Sequence, residues 1–232
     1  MTILNATVAP TCAVIAQDSR VTRPDGGLLG YTGKLIILTD RGFAVGRRGS
    51  LKFTEAWAAE VKETQHLTLE DADATADALR RLSRRIECSP EGHGVAHVGW
   101  SRVTNAPMGF YFDGASNFEP QHLIPGVHLR GPAVLALDEP DYPALAAMSV
   151  PAANGERMED FHIALAKNQF QADRRGLLGM VGNIGGTLTL AVIDATGIRS
   201  RTINAFPFEP LPAAVTVADI MIREQFKFLQ DS

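Results

Sequence analysis

The sequence predicts an α+β fold in which two mainly antiparallel sheets are stacked and helices lie outside them. Two observations carry this. Strand-like and helix-like stretches come in blocks: strands, two helices, strands, helices, strands, one helix. Blocks segregated in this way pack as layers, whereas a doubly wound parallel sheet needs strand and helix to alternate singly. The second observation is the run Thr187 to Asp194, the strongest strand in the chain, returned by Ile198 to Ala205 across Ala195-Thr196-Gly197. So short a turn forces antiparallel pairing.

Taken in order, Cys12-Ala13-Val14-Ile15-Ala16 is short, apolar and β-branched, and reads as a buried strand. It leads into Gln17-Asp18-Ser19-Arg20-Val21-Thr22, then into a turn-rich stretch, Arg23 to Gly27. Gly33-Lys34 opens a second apolar run, Leu35 to Leu38, and Thr39-Asp40-Arg41-Gly42 turns it into a third, Phe43 to Gly46. After Gly49-Ser50 the pattern becomes helical: Phe53, Trp57 and Val61 recur every four residues. Ser50 suits an N-cap at that start. Thr68 is the expected N-cap of a second helix, with Asp71 three residues on. Ala72, Ala76, Leu79, Leu82 and Ile86 make that helix's apolar face. Its acidic start (Glu70, Asp71, Asp73) and basic end (Arg80, Arg81, Arg84, Arg85) follow the helix dipole, so the arginines read as a solvated helix end. Ser89-Pro90-Glu91-Gly92 stops it.

Strands are expected over Gly94 to Trp100 and Met108 to Asp113, then over His122 to Arg130 and Pro132 to Leu137. Pro140 to Met148 reads as a short helix and Glu156 to Arg175 as a longer one. Gly179 to Gly186 is a glycine-rich turn and lacks the strand-then-helix context of a phosphate loop. A final helix is expected from Thr216 to Leu229.

The 232 residues suffice for one sizeable core and are expected to form one domain over 1–232. A formal net charge of −4 gives no reason to expect nucleic acid or an anionic membrane as partner. The expected location is cytoplasmic, since the N-terminal stretch has no basic and apolar signal pattern and the two cysteines, Cys12 and Cys88, match no metal spacing. Cys12 reads as a core thiol. His93 and His97 lie four apart, but on a strand that separates them by about 13 Å, so no metal is expected. Nothing in the sequence points to a cofactor.

An acid leaving one buried strand, Asp18, and a lysine entering the next, Lys34, are placed to meet. Buried charges are rarely left alone, so the two form either a structural ion pair or part of a site.

A strand ending in Asp-Ser-Arg-x-Thr, with a lysine sixteen residues past the Asp and a threonine sixteen before it, resembles the N-terminal half of proteasome β-type subunits and the related bacterial ATP-dependent peptidase. Here 18 − 16 gives Thr2 and 18 + 16 gives Lys34. The resemblance covers about the first ninety residues and belongs to the N-terminal nucleophile (Ntn) hydrolase superfamily. It implies a four-layer αββα sandwich and a threonine-type peptidase or amide hydrolase. Thr2, exposed by removal of Met1, would be the nucleophile. Asp18 and Lys34 would tune it, and a backbone N–H near Gly49 would form the oxyanion hole. It also implies a homo-oligomer, ring-like, and by analogy alone an ATP-dependent unfoldase partner. The second half departs from the family. Leu135-Ala136-Leu137-Asp138 stands where the family has Gly-Ser-Gly, and Val181 and Ile184 stand where it has Asp and Ser. Those departures support the alternative, a catalytically silent subunit or binding scaffold that kept the fold.

Overall fold

The protein is described by a computed structural model over residues 2–22, 27–65, 67–87, 90–179 and 182–207. The expected last helix, the turn residues Arg23 to Gly26, Ser89 and Val181 lie outside the described residues.

The strands are β1 (Leu4–Val8), β2 (Cys12–Asp18), β3 (Arg20–Thr22), β4 (Leu28–Tyr31), β5 (Ile36–Leu38) and β6 (Phe43–Arg48). Helices α1 (Leu51–Glu63) and α2 (Ala72–Arg85) follow. Next come β7 (Gly94–Ser101), β8 (Ala106–Asp113), β9 (Pro120–His122) and β10 (His128–Gly131). Helices α3 (Tyr142–Ala153) and α4 (Met158–Arg174) precede the hairpin of β11 (Leu188–Asp194) and β12 (Gly197–Ile203). One five-stranded sheet has the order β10-β1-β2-β11-β12 and the other β5-β6-β7-β8-β9. Their pairs are antiparallel. Strands β3 and β4 form a small separate ribbon.

The two sheets face each other through small and branched side chains: Leu4, Ala6, Ala13 and Ile15 from one, Ala44, Ala96 and Val98 from the other. They approach so closely that a Cβ at position 46 would run into Leu4 Cδ1 and Ile15 Cδ1, so glycine lets the sheets meet there without those side chains moving. Alternation along the strands sends the other faces outward. Phe43, Val45, Val95 and Phe112 pack against Phe53, Trp57 and Val61 of α1 and Leu79 and Leu82 of α2. On the first sheet, Val14 and Val192 pack against Leu145 of α3 and Phe161 and Leu165 of α4. Gln17 joins the sheets directly: its Nε2 donates to Arg47 O and its Oε1 accepts from Arg47 N at 3.2 Å. The result is an α+β fold of two packed antiparallel sheets with helices against them.

Several boundaries differ from expectation. The second helix is capped by Asp71, which accepts from Ala74 N at 2.9 Å, and not by Thr68. Leu67 and Leu69 are both buried with exposed Thr68 between them, an extended alternation that the core holds out of the helix. His122 to Arg130 does not form one strand: β9 joins one sheet and β10 the other. Residues 132–137 form no strand. Ala136 is instead clamped by Asn168, which accepts from its N–H and donates to its carbonyl, both at 2.9 Å. Strand β1, unread in the sequence, is fully buried. Its polar residues find distant partners: Asn5 Nδ2 donates to Gln169 at 2.7 Å, and Thr7 Oγ1 lies 2.7 Å from His128 Nδ1. Cys12 is half-buried beside Met158, with Sγ to Sδ 3.2 Å, and is not a fully enclosed core thiol. Arg80 and Arg85 pair with Asp77, Glu119 and Glu60, as a solvated helix end should.

Candidate active site

Strand β2 buries Val14 and Ala16 on one face and Ile15 and Gln17 on the other, and its last residue is Asp18. Asp18 is 1% exposed. Its Oδ1 accepts from Ile3 N at 2.9 Å and from Lys34 Nζ at 3.1 Å; its Oδ2 accepts from Gly185 N at 3.4 Å. The carboxylate thus ties the start of the chain, the β4–β5 connection and the loop before β11 to one point. Hydrogen bonds to an ionised acceptor are stronger than neutral ones, which suits a charge so deeply buried.

Lys34 Nζ donates to Thr2 Oγ1 as well as to Asp18. The tertiary fold therefore brings together Thr2, Asp18 and Lys34, residues spaced sixteen apart in the chain. Burial lowers the Lys34 pKa from its ordinary value; Asp18 opposes that, and Arg47 and Arg20 add to the lowering. Thr2 is half-buried.

Gly49 follows β6 and has φ +128°, with His93 packed so close that a Cβ would collide with its ring. The turn demands glycine for both reasons. Ser50 then caps α1, accepting from Phe53 N at 3.3 Å, as the sequence suggests. His93 Nε2 lies 3.1 Å from Ser50 Oγ, and His97 is enclosed by Phe43, Trp57 and Phe112. The two histidines are spent on packing and loop contacts. Among the described residues no cluster of histidine, cysteine and carboxylate side chains is arranged to hold a metal.

Arg47 was not singled out in the sequence, and it builds the site. Its side chain is 2% exposed and crosses from β6 to donate to the carbonyls of Lys34 (2.9 Å), Gly33 (3.2 Å) and Thr54. Nothing in the adjacent arginines Arg47 and Arg48 at the end of an apolar strand marks which of them takes that role. Asp173 was likewise missed. This buried carboxylate on α4 accepts from Ile184 N at 3.1 Å and from Asn183 Nδ2 at 3.3 Å, and so orders the loop whose Gly185 reaches Asp18. The segment 135–138 is docked on Asn168 of α4, and Ile184 is fully buried among apolar neighbours.

Two clefts adjoin these residues along the chain. The larger, about 590 Å³, is lined by Ser19, Tyr31, Gly33, Gly186, Asn204 and Phe206 among others, none of them charged. Gly186, at φ +76°, sits against Ser19 and Tyr31 where a side chain would clash. The smaller, about 210 Å³, includes Leu4, Arg48 and Arg130 in its lining.

No protein-family model matches the sequence, and no curated protein matches it. The fold does have solved counterparts: 484 chains match it, so the architecture is well populated and selects no activity by itself. Among them is a (Gly-1) mutant of Anbu from Hyphomicrobium sp. strain MC1, at 15% identity and a TM-score of 0.62, covering 100% of this chain and 97% of that one. The chain is thus a distant structural match to Anbu and shares its fold.

Proposed function

We propose that the protein is a threonine-type hydrolase of peptide or other amide bonds, on a four-layer αββα sandwich, with Thr2 as nucleophile once Met1 is removed. The observation that carries this reading is the Lys34 ammonium bonded at once to Thr2 Oγ1 and Asp18 Oδ1. A threonine hydroxyl needs a base at neutral pH. A free α-amine at Thr2 supplies one, with an unperturbed pKa of about 7.7–8.0, and the adjacent positive charge of Lys34 lowers it further.

In the proposed reaction Thr2 Oγ attacks the amide carbonyl and its proton passes to the α-amine. Lys34 and a backbone N–H at Gly49 stabilise the oxyanion. The proton then goes to the leaving amine, the C–N bond breaks, and an ester to Thr2 remains. Water hydrolyses that ester and restores the hydroxyl. Asp18 keeps Lys34 charged and aimed.

The silent-scaffold reading rests on a separate observation. Positions 135–138 and 184 carry no hydroxyl toward Thr2 and are committed to α4. The intact mass of the purified protein and its labelling by a threonine-directed electrophile decide between the two. Loss of one methionine with labelling at Thr2 supports the hydrolase. Retained Met1 with no labelling supports the scaffold. A homo-oligomer, ring-shaped by likeness of fold, is part of the proposal and is tested by sedimentation at micromolar concentration.

A further inference from the structure

The smaller cleft opens where the two sheets part. Leu4 lies against Gly46 of β6. Alternation puts Arg48 on that same face of β6, one pair nearer the mouth. Thr2 lies two residues before Leu4, at most about 7 Å along the chain. Tyr111 and Asp113, alternate residues of β8, and Arg130 of β10 complete the polar lining; Leu4 and Leu129 are apolar walls.

The polar groups here are under-used. Arg48 Nη2 pairs with Asp113 Oδ2 at 3.3 Å and its guanidinium lies over the Tyr111 ring at 5.5 Å, but its buried Nε has no hydrogen-bond partner. Among the described residues Arg130 makes no ion pair, and the Tyr111 hydroxyl makes no hydrogen bond. Burial pushes the Tyr111 pKa up to about 12, so the phenol stays a donor. Two guanidiniums and a phenol therefore face one carboxylate across a space of about 210 Å³. Among the described residues the Arg130 guanidinium and the Tyr111 hydroxyl keep donors without partners, and an anion in the cleft would accept from them. Arginine's planar fork matches a carboxylate.

We propose that this cleft binds a carboxylate of the substrate, so that the preferred substrates are short peptides or amides carrying a free carboxylate. The part that concerns substrate rests on the hydrolase reading above; anion binding itself does not. The larger uncharged cleft on the Ser19–Gly33 side would take a neutral group of the same molecule.

The test is calorimetric binding of N-acetyl-dialanine with a free or an amidated C-terminus, and of inorganic phosphate, to the Thr2→Ala protein. The free acid should bind and the amide should bind roughly tenfold more weakly or not at all. Arg130→Gln, at an exposed position with no ion pair to lose, should weaken the free acid by roughly the same factor with unchanged thermal unfolding. Arg48→Lys should weaken it too while keeping a cation beside Asp113. Equal binding of acid and amide, or no effect of Arg130→Gln, overturns the proposal. Phosphate bound in preference to the carboxylate overturns the assignment to carboxylates. No turnover of either peptide by the unsubstituted protein, with carboxylate-selective binding intact, removes the hydrolase reading and leaves the anion site standing.

Discussion

Arg47 Nε donates to the main-chain carbonyl of Lys34 at 2.9 Å, so one buried cation positions another by its backbone. The arrangement holds Lys34 Nζ toward Asp18 without giving it a second carboxylate. It also places a further positive charge near Lys34, which adds to the lowering of its pKa. Replacing Arg47 by Met should leave the carbonyls of Gly33 and Lys34 without this donor, while Thr54 O keeps its bond within α1. The expected loss is roughly 2–4 kcal/mol, from two part-buried acceptors at about 1–3 kcal/mol each. Urea unfolding measures it; a loss below about 1 kcal/mol would show that those carbonyls find other partners.

Thr2→Ala and Lys34→Ala should separate chemistry from stability. Thr2 is half-buried and its hydroxyl meets Lys34, which keeps Asp18. Turnover of small peptide amides should vanish with stability nearly unchanged, and Thr2→Ser should restore part of it. Lys34→Ala strands a carboxylate that is 1% exposed. It should abolish turnover and cost about 3–5 kcal/mol as well. Equal stability losses in both variants would argue for a structural ion pair alone.

The pH profile of turnover follows from the proposed base. A protonated α-amine cannot accept the hydroxyl proton, so kcat/KM should fall as pH drops. The acid limb should have its midpoint below about 7.7, since Lys34 lies beside the amine. A profile flat from pH 5 to 9 would exclude an amine base.

Stability should also fall in acid, through histidines. Burial lowers His97 to about 3 and His162 to about 3. Below about 6.5 the unfolded chain takes up protons that the folded one refuses, so unfolding is favoured as pH falls. Each histidine contributes up to about 1.4 kcal/mol per pH unit between these limits. His97→Leu keeps the aromatic cage filled and removes a buried nitrogen that lacks a partner. It should be near neutral at pH 8 and flatten the slope between pH 6 and 4; an unchanged slope assigns the acid loss elsewhere.

Gly49→Ala tests the turn after β6. At φ +128° with His93 against it, any Cβ is both strained and crowded. A destabilisation of about 1–3 kcal/mol is expected from the backbone alone, together with loss of turnover. Full activity with normal stability would show that the turn is not needed as it stands.

Local order and one long-range relation were legible in the residues alone. The strands at Cys12 to Ala16 and Phe43 to Gly46, the Ser50 cap of α1 and the β11–β12 hairpin were legible because each follows from alternation, apolar periodicity or a capping side chain close in the chain; the structure carries the two strands on to Asp18 and Arg48. The meeting of Asp18 and Lys34 was legible from their places at the ends of buried runs, while adding Thr2 to them took the family resemblance. Tertiary structure alone decided the rest. Strand β1 is polar at Asn5 and Thr7, and Gln169, Gly131, His128 and His162, all more than a hundred residues away, satisfy those side chains in a buried strand. Thr68 lost the cap to Asp71 because Leu67 and Leu69 are drawn into the core. Arg47 and Asp173 carry no local mark, since most of their partners are backbone groups of segments that the fold brings to them. A hydrogen bond to a main-chain carbonyl or amide can be made with any residue type, and so it leaves no trace in the sequence of the partner.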